Sequence, residues 1–168
     1  MVIVLVAILA AVRWVTLRRR SFGLGKFLLG SVYVFRDKGY PGIVKIGMTA
    51  QLCRKRKGQV SRTMADGAEL AQVYALDHVP FPRAVERLAH RTMARHRVRW
   101  PKGSRRGVEW FHAPDGQAVE KVIGAIERAA HRVRTAARKK GRWPTWADAR
   151  VSVWRFEDGK VRRYRLFQ

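Results

Sequence analysis

Val32-Tyr33-Val34-Phe35 and Ile43-Val44-Lys45-Ile46-Gly47 are two short β-branched and aromatic runs, joined by Arg36-Asp37-Lys38-Gly39-Tyr40-Pro41-Gly42. Two glycines and a proline in the link are the punctuation of a hairpin-type connection. The pattern predicts an antiparallel pair with Tyr33 and Lys45 mid-strand, as close neighbours on one face. A phenol packed on a lysine stem at a sheet surface accounts for the pair structurally. A phenol that must lose a proton accounts for it chemically, because a nearby cation lowers its pKa.

Outward from this hairpin, residues 50–63 read as a helix with Thr49 as its N-cap. Residues 69–77 alternate and read as a third strand. Pro80 and Pro82 open a second helix over residues 83–98, and a basic loop follows over residues 99–107. Residues 108–111 form a short strand. A third helix spans residues 117–140 with apolar positions at Val119, Val122, Ile126, Ala130, Val133 and Ala137, and it stops on Lys139-Lys140-Gly141. The tail, residues 151–167, reads as a hairpin turning at Glu157-Asp158-Gly159.

The 168 residues suffice for one domain with a core and an appendage, and 47% apolar content excludes a disordered basic tail. Lys and Arg number 36 against 12 Asp and Glu, a net charge of +24. Such a balance calls for a polyanion: nucleic acid first, an anionic membrane surface second. Arginine dominates the excess and suits phosphate geometry. The single cysteine, Cys53, excludes an internal disulfide and a cysteine-based zinc site. Residues 2–12 are unbroken apolar sequence, shorter than the roughly 20 residues of a spanning helix. Extension to Leu17, with Trp14 and Arg18-Arg19-Arg20 as anchors, leaves two readings of residues 1–20. They are a membrane anchor with contact through residues 2–17, or sequence upstream of the true start codon that is not translated. The expected location is cytoplasmic, with inner-membrane anchoring as the alternative.

Helical spacing puts Leu52, Arg56, Gln59, Val60 and Thr63 on one face of the first helix, with Arg54 and Lys57 pointing elsewhere. A cation on an inward stripe is costly unless something anionic meets it. On the second helix, Val85, Leu88, Ala89, Thr92 and Met93 make the apolar stripe, and Glu86, His90 and Arg97 run along its edge. Glu86 offers oxygen ligands suited to a hard divalent cation. A plain Arg56–Glu86 salt bridge is the structural alternative for both residues.

Taken in order, VYV, the turn, KIG followed by Met48-Thr49, a helix with Arg56, a strand, and a helix reading Ala84-Val85-Glu86-Arg87-Leu88-Ala89-His90 form a set. This set resembles the GIY-YIG nuclease superfamily, and within it the phage T-five open-reading-frame and meiotically-upregulated-gene branch. Gln59-Val60-Ser61-Arg62-Thr63 and Glu109-Trp110-Phe111 also resemble that branch, and the likeness covers about residues 31–111. The resemblance implies an α+β fold. Its small domain, residues 30–114, carries a three-stranded antiparallel sheet flanked by helices, and residues 115–168 add a basic helix and β-hairpin.

By the same resemblance, Tyr33 stands at the tyrosine of GIY and would act as the general base or its close assistant. Lys45 replaces the tyrosine of YIG and would acidify Tyr33. Arg56 would stabilise the phosphate in the transition state, and Glu86 would hold one Mg²⁺ or Mn²⁺. His90 is a candidate to assist the metal or the leaving group. Arg54, Lys57, Arg62, Lys102, Arg105 and Arg106 are the candidate DNA contacts. The expected function is a metal-dependent DNA endonuclease. The alternatives are a non-cleaving DNA-binding module on the same fold and a membrane-anchored basic protein.

Overall fold

The computed structural model describes residues 29–40, 42–64, 69–101, 107, 109–112, 118–157 and 159–167. The apolar segment at residues 1–20 and the basic loop positions Lys102, Arg105 and Arg106 lie outside the described residues. Among those described, no helix is long and apolar enough to cross a membrane.

The opening hairpin is present as β1 (Leu29–Asp37) and β2 (Ile43–Thr49), longer than the apolar runs suggest. The buried Asp37 begins the turn by accepting a hydrogen bond from the Gly39 amide at 2.9 Å, a local closure typical of aspartate. β3 (Leu70–Pro80) pairs with the other edge of β1, and β4 (Trp110–His112) pairs with β2.

The same sheet then continues through the tail. β5 (Ser152–Glu157) pairs with β3, and β6 (Lys160–Arg165) closes the edge, giving six antiparallel strands in the order β4-β2-β1-β3-β5-β6. The expected three-stranded sheet is corrected on this point. β3 runs for 11 residues and pairs with β1 along one edge, so its other edge would leave unpaired backbone groups. The tail hairpin covers that edge from Tyr74 to Asp77.

The pleat sorts side chains to two cores. Val32, Val34, Val44, Ile46, Tyr74 and Leu76 face α2 (Pro82–Thr92) and α3 (Ala118–Lys139), where Val85, Ala89, Val122 and Ile126 are buried. Tyr33, Phe35 and Trp110 face the opposite way, onto Val60 and Met64 at α1 (Cys53–Thr63). The apolar stripe expected on the third helix is buried or half-buried throughout. That helix ends where Gly141 adopts φ 61°, and the Arg142 amide bonds back to the Ala137 carbonyl at 2.8 Å.

Three boundaries differ from expectation. α1 starts at Cys53, not residue 50. Thr49 instead ends β2 and accepts a hydrogen bond from the Gln51 amide, while Leu52 is 71% exposed rather than inward. α2 stops at Thr92 and yields to a 3₁₀ turn (Ala94–His96), because Arg97 leaves the helix to bridge Phe111. At its other end Phe81, in the left-handed region at φ 58°, breaks β3 from α2, and Pro82 begins the helix.

The segment after α3 is tied down through Asp148, on the short helix α4 (Ala147–Arg150). Its carboxylate accepts from Arg134 Nη2 at 2.6 Å and from Trp143 Nε1 at 2.9 Å, and it also meets Arg138. The Arg134 hydrogen bond holds its pKa below the ordinary carboxylate value. The contribution to stability is therefore present above the unfolded-state pKa and is lost as pH falls through the depressed native one. Asp148→Asn is expected to cost about 2 kcal/mol in urea unfolding at neutral pH. The gap to wild type should close as pH falls through the depressed native pKa of Asp148.

Candidate active site

The β1–β2 register places Tyr33 opposite Gly47, and Phe35 opposite Lys45. Tyr33 and Lys45 thus share a face as diagonal neighbours, not as a direct pair. The Tyr33 ring stacks on Phe35 with centroids 4.1 Å apart. It also lies directly over the Gly47 backbone. A Cβ at position 47 would sit 2.4 Å from Tyr33 Oη and 2.6 Å from its Cζ. Any other residue there would have to displace a phenol that is 1% exposed.

Helix α1 crosses this face with Val60 and Met64 buried, which brings Arg56 alongside. Arg56 Nε donates to Tyr33 Oη at 3.3 Å, and its Nη1 reaches Gln59 Oε1 at 3.4 Å. Burial pushes the Tyr33 pKa up, and the Arg56 hydrogen bond and charge pull against it without reversing it. The expected acidification by Lys45 is corrected here, since the cation on the phenol is Arg56. Lys45 is itself buried, 6% exposed, and its ammonium pairs with Glu109 at 2.5 Å beside the Trp110 ring. A buried ammonium without a counter-charge is strongly disfavoured, so Glu109 completes it.

Glu86, on α2, enters the same space. Its pKa is raised, first by burial and then by the charge of Glu109; the Met48 amide, Lys45 and Arg83 oppose the rise. Tyr33, Arg56, Glu86 and Glu109 line one cleft of about 560 Å³, with Met48, Arg83 and Arg87 on its walls. Three of the five expected catalytic and metal positions therefore meet, and Lys45 stands behind them through Glu109.

His90 does not line the cleft. One turn beyond Glu86, its Nε2 meets the Ile46 carbonyl at 3.2 Å and its ring packs against Phe111. Burial lowers its pKa, which favours the neutral ring donating to that carbonyl. Arg54 and Arg62 are exposed on α1, and Arg62 Nε bonds to the Gly58 carbonyl of its own helix. Lys57 is half-buried. Sequence reasoning assigned no role to Glu109, Arg83 or Arg87. The Glu109 pairing with Lys45 depends on β2 meeting β4, a contact 64 residues apart.

Among the described residues, no group of three or more His, Cys, Asp and Glu gathers as a metal cage. Mg²⁺ does not require one; it is commonly held by one or two carboxylates, with water and phosphate oxygens completing the shell. Glu86 fits that donor set. It is a part-buried carboxylate beside a second carboxylate, and both effects that raise its pKa would be relieved by a hard cation.

The model of the T5orf172 domain family matches residues 30–134, from β1 into α3. The chain belongs to this phage-associated, nuclease-like family. No curated protein and no solved structure matches the chain.

The contact over Gly47 is testable by a double-mutant cycle. Gly47→Ala is expected to cost about 1–3 kcal/mol in urea unfolding through overpacking. In a Tyr33→Ala background it should cost less than about 0.5 kcal/mol, because the ring it displaces is gone. Equal costs in both backgrounds would show that the glycine serves something else.

Proposed function

We propose that this member of the T5orf172 domain family is a GIY-YIG-type, metal-dependent endonuclease that hydrolyses phosphodiester bonds in DNA. The observation that carries the reading is the meeting of Tyr33, Arg56 and Glu86 in one cleft from three separate elements. The family supports a DNA-binding, nuclease-like module, and the +24 charge supports a polyanionic substrate.

Glu86 would hold the divalent cation, which when bound would supply Lewis-acid charge to the phosphodiester. The remaining roles belong to the chain. Arg56 opposes the charge that accumulates on the phosphate as it becomes pentacovalent. Tyr33 Oη accepts the proton of the attacking water, with Arg56 Nε fixing the orientation of the phenol. Lys45 holds Glu109 and offsets the second carboxylate, so that Glu86 can face the substrate. Arg83 and Arg87, on the cleft wall, suit the flanking phosphates.

Plasmid nicking with Mg²⁺ tests the reading. Wild type is expected to nick, and Glu86→Gln to lose the activity while retaining DNA binding. Arg56→Ala should slow cleavage by about 10²–10³-fold, the usual effect of removing one charge-stabilising donor. Equal nicking by wild type and Glu86→Gln would overturn the Glu86 assignment. DNA binding without nicking by the wild-type protein would favour the non-cleaving module.

The raised Tyr33 pKa predicts a pH profile. The phenolate is a minor species below the ordinary tyrosine value, so a rate proportional to it rises about tenfold per pH unit up to that value. Tyr33→Phe should flatten that rise in a nicking assay run at constant ionic strength.

A further inference from the structure

The tail hairpin lies beyond the span matched by the family, yet it belongs to the same sheet as the cleft. Register connects the two. Gly47 pairs with Tyr33, Tyr33 with Ala75, Ala75 with Trp154, and Trp154 with Arg163. Residues directly opposite in antiparallel strands share a face. One row across the sheet therefore carries the phenol of the cleft and, three strands away, the guanidinium of Arg163 on the same face. At a strand spacing of about 4.8 Å the separation is about 14 Å, on the order of a DNA groove width of about 12 Å.

Arg163 is not alone there. Arg165 lies opposite Ser152 on the same face, and Arg150 projects from the end of α4. The three arginines, with His78, Ser152 and Tyr164, line a second cleft of about 400 Å³. All three are exposed. Arg163 stacks 4.8 Å from the Trp154 ring centroid, and its Nη2 donates to Ser152 Oγ at 3.3 Å, so the guanidinium is held in place.

The arrangement of charge separates these arginines from others in the same region. On the α3 side, Arg155 pairs with Glu120 and Glu127, and Arg134 pairs with Asp148. Among the described residues, Arg150, Arg163 and Arg165 form no ion pair. The neighbouring carboxylate, Asp77, sits opposite Ser152 and lines a different cleft. Three exposed guanidiniums without counter-charge, lining one concave surface, are complementary to a nucleic-acid backbone.

We propose that Arg150, Arg163 and Arg165 form a second phosphate-binding site, which holds the backbone of the same duplex whose scissile bond enters the Glu86 cleft. The proposal rests on the DNA reading of that cleft and extends it to the substrate's footprint. The contact is to phosphate and carries no sequence information by itself.

The test measures binding of a duplex oligonucleotide to the full chain across a salt series. Each phosphate contact contributes about 0.9 to the slope of log affinity against log salt. The R150Q/R163Q/R165Q variant is expected to bind at least about tenfold more weakly at physiological salt, with the slope shallower by about two to three. The R150K/R163K/R165K variant should recover most of the slope, because it keeps the charge. Phenylglyoxal labelling of the wild-type protein, read by mass spectrometry, is independent of variant folding. It should find Arg150, Arg163 and Arg165 protected by the duplex.

A wild-type protein that binds steeply with salt, with a glutamine variant that matches it and no protection, would overturn this site and leave the cleft reading intact. Loss of binding to phosphatidylglycerol vesicles in the glutamine variant, with duplex binding unchanged, would reassign the site to lipid and overturn it too. Failure of the wild-type protein to bind DNA at all would overturn both readings together.

Discussion

The phenol of Tyr33 lies on bare backbone at Gly47, where a single added carbon would sit 2.4 Å from its oxygen. That contact fixes the opening hairpin in one register, since a slip by one residue would turn the phenol to the other face and bring a side chain beneath it. The ring is also the surface against which Arg56 is set, because its Oη is the acceptor for Arg56 Nε. Helix α1 can approach only with Arg56 on that side, and the space left between Arg56, Tyr33 and the start of α2 is the cleft. Gly47 is thus required by sterics rather than by turn geometry.

Charge in the cleft is organised differently from charge in the whole chain. The protein carries a large excess of cations, yet two carboxylates, Glu86 and Glu109, are brought together on the walls of the cleft. Their mutual repulsion is held in check by the buried Lys45 and by Arg83, and part of it remains as the raised pKa of Glu86. A site that keeps a carboxylate under such pressure is suited to a hard cation and an anionic substrate arriving together. The unpaired guanidiniums of the tail face continue the positive field away from the cleft, along the same side of the sheet.

Local patterns in the sequence located the strands around Tyr33 and Lys45, the three long helices, and the apolar stripe on α3, because each depends on neighbours within a few residues. The resemblance carried by the KIG run brought Tyr33, Arg56 and Glu86 into one hypothesis, and the structure places them in one cleft. What was not legible depends on pairing between distant segments. The sheet gains its last two strands because β5 pairs with the second edge of β3, and no local signal distinguishes that from a free hairpin. Lys45 reads as the partner of Tyr33 because they share a hairpin, but the pairing of β4 brings Glu109, the residue before it, from far along the chain. α2 ends before its periodicity does, because Arg97 is drawn to Phe111 as a strand partner. Leu52 looked inward by helical spacing, but it precedes the first turn and points to solvent.

The central claim is that water, activated at Tyr33, attacks a phosphodiester in this cleft. Cleavage of a duplex in ¹⁸O-enriched water with Mg²⁺, followed by mass spectrometry of the products, tests it most directly. The account predicts one ¹⁸O on each new 5′ phosphate, an unlabelled 3′ hydroxyl, and no labelled product from the Glu86→Gln protein. Label on a 3′ phosphate, or an intact unlabelled duplex with the wild-type protein, would contradict it.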